Sequence, residues 1–173
     1  MHIKIAVTEE ELEQIFRLNY RTFVEEIPQH ERREDERLVD AFHNQNTYFI
    51  AKIEGRVLGM VCYNGSRPFS LDKKISELDK LLPPHKKMAE VRLLAVDPSA
   101  RKTYVAFKLL KELIQHLLKN GFDFAIISAI LKEMDMYKKV GFVAFGPTVG
   151  KEGALYQPMY IDTNKLTEYF KND

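Results

Sequence analysis

A mixed α/β fold is what the sequence predicts, and three observations predict it. Alternating and helical hydrophobic periods follow one another as strand, helix, hairpin, strand, helix, strand, helix, strand, strand. One stretch in the second half reads as an uninterrupted strand–helix–strand unit, which favours a mixed sheet with helices on both of its faces. The chain has 173 residues, 45% hydrophobic and 29% charged. A single domain spanning residues 1–173 is therefore expected, with a core able to bury roughly 70% of the unfolded surface.

His2-Ile3-Lys4-Ile5-Ala6-Val7 alternates and reads as the first strand. Thr8 and Glu11 form a capping box, in which the hydroxyl takes an orphan amide while the carboxylate reaches back. Leu12, Ile15, Phe16, Tyr20, Phe23 and Val24 then recur at helical spacing, so the spacing predicts a helix from about Glu9 to Glu26, ended by Pro28. The charged segment from Gln29 to Asn46 is read as a loop or a short helix. Residues 47–53 and 57–63 flank Glu54-Gly55-Arg56, a hairpin signal. From Asn64 to Lys87 the chain makes a polar excursion in which a short helix around Lys74 to Leu82 is expected. Met88 to Val96 reads as a fourth strand stopped by Asp97-Pro98. Ala106, Leu109, Leu110, Leu113, Ile114, Leu117 and Leu118 define an amphipathic helix closed by Asn120-Gly121. Phe124 to Ala129 is a buried fifth strand, a short helix through Met134 and Tyr137 ends at Gly141, and 142–145 and 154–161 close the sheet. Six to seven strands are expected in all.

Several function classes are disfavoured at once. Twenty-six Lys and Arg face 25 Asp and Glu, so the chain lacks the strongly basic balance that phosphate-backbone binding needs, and no nucleic-acid partner is expected. No stretch approaches the ~18 apolar residues of a membrane span. The lone Cys62 excludes an internal disulfide and a cysteine zinc site and fits a reducing cytosol, so a cytoplasmic location is expected. His2, His30, His43, His85 and His116 show no ligand spacing, and no metal is expected. Cys62 falls in a core strand, where an inert thiol is the simple reading.

Two stretches together carry a resemblance. Glu90-Val91-Arg92-Leu93-Leu94-Ala95-Val96-Asp97-Pro98-Ser99-Ala100-Arg101 resembles the fourth strand and phosphate loop of the GCN5-related N-acetyltransferase (GNAT) superfamily, and Tyr137-Lys138-Lys139-Val140-Gly141-Phe142 resembles its later Tyr-x-x-x-Gly-Phe motif. One helix and one strand separate them, as in that fold. The first helix, Arg17-Leu18-Asn19-Tyr20-Arg21-Thr22-Phe23-Val24-Glu25-Glu26, is similar to the opening helix of the acyl-homoserine-lactone synthases and the long-chain N-acyl amino acid synthases. Glu34, Asp35 and Asp40 stand for the acidic stretch that follows there. Asn19 occupies a position where those relatives often carry Arg, and the chain has no Trp.

The resemblance implies a GNAT fold whose fourth and fifth strands splay apart, and it implies roles. Leu93, Leu94, Ala95 and Val96 would lie along the pantetheine arm of the donor, pairing through backbone groups. Arg101, Lys102, Thr103, Tyr104, Val105 and Ala106 would form the phosphate loop, where orphan amides at a helix start favour an anion. Tyr104 replaces the family's central glycine, which disfavours the crowded pyrophosphate of coenzyme A and suits the single phosphate of an acyl carrier protein. Arg101 and Lys102 are also readable as a solvated helix start. Glu90 and Arg92 share a strand face; Glu90 would act as base, with Arg92 orienting it or holding a substrate carboxylate, whereas without the resemblance they read as a surface ion pair. Tyr137 would protonate the leaving thiolate, or else simply packs on the sheet. Arg17, Arg21, Glu25 and Asp35 would border the acceptor, or decorate the surface.

The function implied is an N-acyltransferase that moves an acyl group from acyl-coenzyme A, or from acyl-phosphopantetheine on acyl carrier protein, to the primary amine of a small molecule such as an amino acid. A plain acetyltransferase using acetyl-coenzyme A and a non-catalytic acyl-pantetheine-binding module are the alternatives.

Overall fold

The computed structural model describes residues 1–166. Its elements run β1 (His2–Ile5), α1 (Glu9–Tyr20), β2 (Asn46–Ile53), β3 (Arg56–Asn64), β4 (Met88–Val96), α2 (Val105–Lys119), β5 (Phe124–Ile130), α3 (Met134–Val140), β6 (Val143–Ala144), β7 (Val149–Lys151) and β8 (Ala154–Asp162). The strands hydrogen-bond in the order β1-β2-β3-β4-β5-β8-β6, with β7 on β8. The β4–β5 pair is parallel, while β1–β2, β5–β8, β6–β8 and β7–β8 are antiparallel. The described strands number eight rather than six or seven, because the chain between the two expected closing strands forms the short β7. The chain packs as two compact units, each assembled from two segments.

The first unit comprises Met1–Tyr63 and Leu93–Leu113. Its core gathers Ile15, Phe16, Leu18 and Phe23 from the first helical segment, Tyr48 and Ile50 from β2, Val57, Met60 and Cys62 from β3, and Ala95 from β4. α1 begins as its sequence dictates: Thr8 Oγ1 accepts from the Glu11 amide at 3.2 Å and Glu11 accepts from the Thr8 amide at 3.3 Å. The helix stays α only to Tyr20; Arg21–Glu26 continue as a π-helical turn in which the Ile27 amide reaches five residues back to the Thr22 carbonyl. β2 and β3 join through Glu54 and Gly55, both left-handed at φ 47° and 84°, the pairing that a two-residue I′ hairpin turn demands. Gly59 on β3 is required by close approach, since a Cβ there would lie 2.9 Å from Val105 Cγ1 and 3.1 Å from Leu109 Cδ1 of α2.

Glu11 does more than cap. Its side chain is 1% exposed and accepts from Lys4 Nζ at 2.7 Å, Lys52 Nζ at 3.0 Å and the Val7 amide at 3.0 Å. The Lys4 ammonium and the Val7 amide hold its carboxyl far below the ordinary range against the opposing effect of burial, with Lys52 and the Thr8 amide adding to them. A depressed carboxyl stabilises the fold above its unfolded pKa of 4.5 and loses that contribution as pH falls. Glu11→Gln is therefore expected to cost about 2–3 kcal/mol at pH 7. The deficit should shrink steadily as melting is followed below pH 4.5; a deficit independent of pH would contradict the ionic account.

The second unit comprises Asn64–Arg92 and the chain from Ile114 onward. β5 lies at its centre, buried along Phe124–Ile127, with β4 on one edge and β8 on the other. The end of α2 closes as Asn120-Gly121 predicts, the Phe122 amide returning to the Leu117 carbonyl at 3.0 Å and Gly121 to Leu118 at 3.1 Å. The expected helix around Lys74–Leu82 is absent. Two 3-10 turns, Leu71–Lys73 and Leu78–Leu81, stand in its place, with the left-handed Glu77 (φ 54°) leading into the second. A left-handed residue cannot continue a helical ladder, and the stretch before it is fastened by side chains: the Phe69 amide goes to Asp72, and the Ser70 and Leu71 amides go to Glu90. Leu71, Ile75 and Leu78 are buried, so the segment is pinned by apolar side chains instead of a helical ladder.

Candidate active site

In β4 the pairing with β5 runs from Met88–Phe124 to Val91–Ile127 and stops, although β4 goes on to Val96 and β5 to Ile130. Just past the last pair, Leu93 adopts φ 57°, a left-handed conformation that costs a non-glycine residue of order 1 kcal/mol. Leu94 and Val96 are half-buried and Ala95 is buried.

Glu90 lies on the paired part of β4 and is 1% exposed. One carboxylate oxygen accepts from the Ser70 amide at 3.0 Å and Arg92 at 3.2 Å; the other accepts from Ser70 Oγ at 2.8 Å and the Leu71 amide at 3.1 Å. Each oxygen thus serves two donors. Arg92 is 14% exposed on its side chain and shares the β4 face with Glu90. The sequence puts this pair together and the structure does too, yet Ser70 and Leu71 could not have been foreseen: nothing local marks a carboxylate 20 residues ahead as their acceptor.

Tyr137 sits on α3, 6% exposed, with its ring edge-on to Phe142 at 5.8 Å between centroids. Burial, reinforced by Glu133, pushes its phenol well above the ordinary range, so it stays protonated at neutral pH. Gly141 ends the helix at φ 123°.

The loop after β4 is fastened from several sides. Asp97 accepts from Ser99 through its amide at 3.0 Å and its hydroxyl at 2.6 Å, and pairs with Arg56 at 3.0 Å and Arg21 at 3.4 Å. Burial alone would raise its carboxyl, but Ser99 and Arg56 outweigh burial and hold it at about 2. The sequence marks Asp97 only as a strand stop; its role as the cap of the Pro98–Ala100 turn follows from the same Asp-Pro-Ser run. Arg101 donates to the Val96 carbonyl at 3.0 Å and to Glu26 at 2.6 Å. Lys102 is exposed. Thr103 Oγ1 donates to the Ala100 carbonyl at 2.6 Å, and Val105 and Ala106 open α2. Tyr104 is 66% exposed, so its ring stands in solvent, and its carbonyl accepts from the Lys108 amide at 2.9 Å.

The residues expected to border the acceptor are tied to separate partners. Arg17 is held by Glu13 at 2.9 Å and Arg21 by Asp97. Arg33 binds Asp35 and keeps that carboxyl at about 2, and Glu25 is exposed on the π-helical turn. Among the described residues no group of three His, Cys, Asp or Glu side chains converges as a metal site, and no helix is long and apolar enough to cross a membrane.

Comparison with known proteins agrees with this architecture. The profile of the acetyltransferase (GNAT) family matches residues 10–142. No curated protein matches the chain. Among solved structures, the coenzyme-A-dependent acyl-homoserine lactone synthase BjaI superposes with a TM-score of 0.75 at 23% identity, over 94% of this chain and 79% of that one. FeeM, an N-acyl amino acid synthase from uncultured soil microbes, superposes at 0.73 and 18% identity, over 95% and 97%. An aminoglycoside 6'-N-acetyltransferase complexed with coenzyme A gives 0.67 at 11% identity, over 94% and 97%.

Proposed function

Because the chain belongs to the acetyltransferase (GNAT) family, whose members are acyltransferases, we propose that it moves an acyl group from acyl-coenzyme A or acyl carrier protein to the primary amine of a small molecule such as an amino acid. The observation that carries this reading is the end of β4–β5 pairing after Val91, with the left-handed Leu93 immediately beyond it. Past that point the backbone of Leu93–Val96 has no β5 residue in register, which suits it to receive the amides of a pantetheine arm. The likeness to BjaI, FeeM and a coenzyme-A-bound acetyltransferase supports a thioester donor.

The donor supplies an acyl thioester; the chain's part is to hold it, orient the amine and manage protons. Turn residues Arg101–Tyr104 and the amides opening α2 would take the phosphate, with exposed Lys102 free to approach it. Arg101 would have to share its guanidinium with Glu26. Tyr137 would give its proton to the departing thiolate. Glu90, whose oxygens already serve four donors, is better suited to fixing Arg92 and the Ser70–Leu71 segment than to stripping a proton from the amine.

Thiol release, measured with acetyl-coenzyme A, longer acyl-coenzyme A and acyl carrier protein donors against a panel of amines, tests the proposal. Turnover with acetyl-coenzyme A alone makes the protein a plain acetyltransferase; no release with any donor makes it a binding module. Tyr104→Gly sharpens the donor assignment. It should lower KM for coenzyme A donors by roughly 3–10-fold, about 1 kcal/mol, with kcat little changed, since phosphate contacts act equally in ground and transition states. Stability should fall by no more than a few tenths of a kcal/mol, because position 104 precedes the helix, where glycine is well tolerated. An unchanged KM would remove Tyr104 from donor choice.

A further inference from the structure

The second unit carries an unexplained polar site on the sheet face that Glu90 and Arg92 share. The register sets Glu90 beside Ile126, Ile126 beside Tyr160, Ser128 beside Pro158, and Ile130 beside Tyr156. Partners in register, and residues two apart along a strand, point to the same face. Tyr156 therefore stands on that face, 5% exposed, and its hydroxyl is buried with no hydrogen-bond partner among the described residues. Burial pushes the phenol up, so it is a permanent donor at neutral pH. A buried hydroxyl left unpaired is costly and calls for an explanation.

Lys74 supplies the second half of the site. It is surface-reachable, and its ammonium lies 5.8 Å from the centroid of the Tyr156 ring. Desolvation lowers its pKa; Glu90 opposes that effect and Arg92 adds to it, so all three charges lie within electrostatic reach of one another. Arg92 already neutralises Glu90 at 3.2 Å. The Lys74 ammonium thus stands beside a phenol with a proton to donate. One anion would satisfy both.

We propose that Lys74 and the Tyr156 hydroxyl form a carboxylate-binding subsite that selects an amine acceptor bearing a free carboxylate, the α-amino acid class. This rests on the acyltransfer reading above and deepens it. The face is the one that holds Glu90 and Arg92, and the excursion carrying Lys74 is fastened there by the Ser70 and Leu71 hydrogen bonds. An ammonium and a phenol can both donate to one carboxylate, and charge-assisted bonds of this kind are about twice as strong as neutral ones. A carboxamide of the same amine keeps the reacting nitrogen and loses the charge, so it is the discriminating probe.

Free α-amino acids and their carboxamides are compared in the thiol-release assay with wild type, Lys74→Met and Tyr156→Phe. An acid is expected to show a KM lower than its carboxamide by about tenfold or more, and each variant should cut that preference by about tenfold. Tyr156→Phe should melt no lower than wild type, because it deletes an unpaired buried hydroxyl; lost preference without lost stability separates binding from packing. Equal KM values for acid and amide overturn the subsite. So does a Lys74→Met effect on donor KM, which would assign the charge to a donor phosphate. If no amine releases thiol, the acyltransfer reading fails by itself, and calorimetry with the same panels decides the subsite: an acid bound about tenfold more tightly than its amide, with the difference lost in Lys74→Met, sustains it, while equal or absent binding overturns it.

Discussion

Glu90→Gln is expected to destabilise the protein by about 3–5 kcal/mol, the usual penalty for leaving one member of a buried ion pair unmatched. The carboxylate serves four donors, and Arg92 is one of them. A glutamine turns one acceptor into a donor. Placed toward the first oxygen's partners it faces the Ser70 amide and Arg92; placed toward the second it faces the Leu71 amide. Either way a buried N–H opposes another donor and Arg92 loses its counter-charge. For a chain of this length the melting temperature should drop by roughly 6–20 °C. A general base would behave otherwise, losing ~10²–10⁴-fold in rate with stability intact. Thermal melting and kcat of one variant therefore separate the two roles, and an unshifted melting point with a large rate loss would return Glu90 to proton abstraction.

Tyr137→Phe is expected to do the reverse. The ring packs edge-on against Phe142, and phenylalanine keeps that contact. If the phenol protonates the leaving thiolate, kcat should fall ~10²–10⁴-fold while the melting temperature holds. Its raised pKa also fixes the pH behaviour. A phenol pushed above 10 remains protonated across pH 6–9, so its own ionisation places no alkaline limb in that range for wild type. An unchanged kcat would leave Tyr137 as packing alone, and an alkaline limb near pH 9 that vanishes in the variant would contradict its burial.

Local signals were readable wherever one residue answers a near neighbour. The Thr8–Glu11 box, the Glu54-Gly55 turn, the Asn120-Gly121 closure and the span of β4 all depend on contacts within a few positions. The excursion from Asn64 to Lys87 departs from its expected helix because Glu77 turns left-handed while Leu71, Ile75 and Leu78 are pinned in the interior, contacts that propensity does not encode. The helix from Glu9 to Glu26 kept its length but not its hydrogen-bond pattern, since a π turn has no compositional mark. Glu90, Arg92 and Tyr137 stand out from motif spacing; the contact between Lys74 and Tyr156 does not, because 82 positions separate two groups that meet only through the fold.

The discontinuous make-up of the two units bears on how the chain is born. Residues 1–63 leave the ribosome first, carrying Ile15, Phe16, Ile50 and Met60, yet their unit is complete only when Leu93–Leu113 has been added. At ~5–20 residues per second the fifty intervening residues take roughly 3–10 s. Throughout that interval an apolar surface waits for Ala95, Val105 and Leu109, while 64–92 emerges and waits in turn for the segment that begins at Ile114. No single cut leaves both units whole. Heterologous production should therefore respond to slowed translation and to chaperone supply, and dissecting the protein into fragments is the wrong strategy for obtaining soluble parts of it.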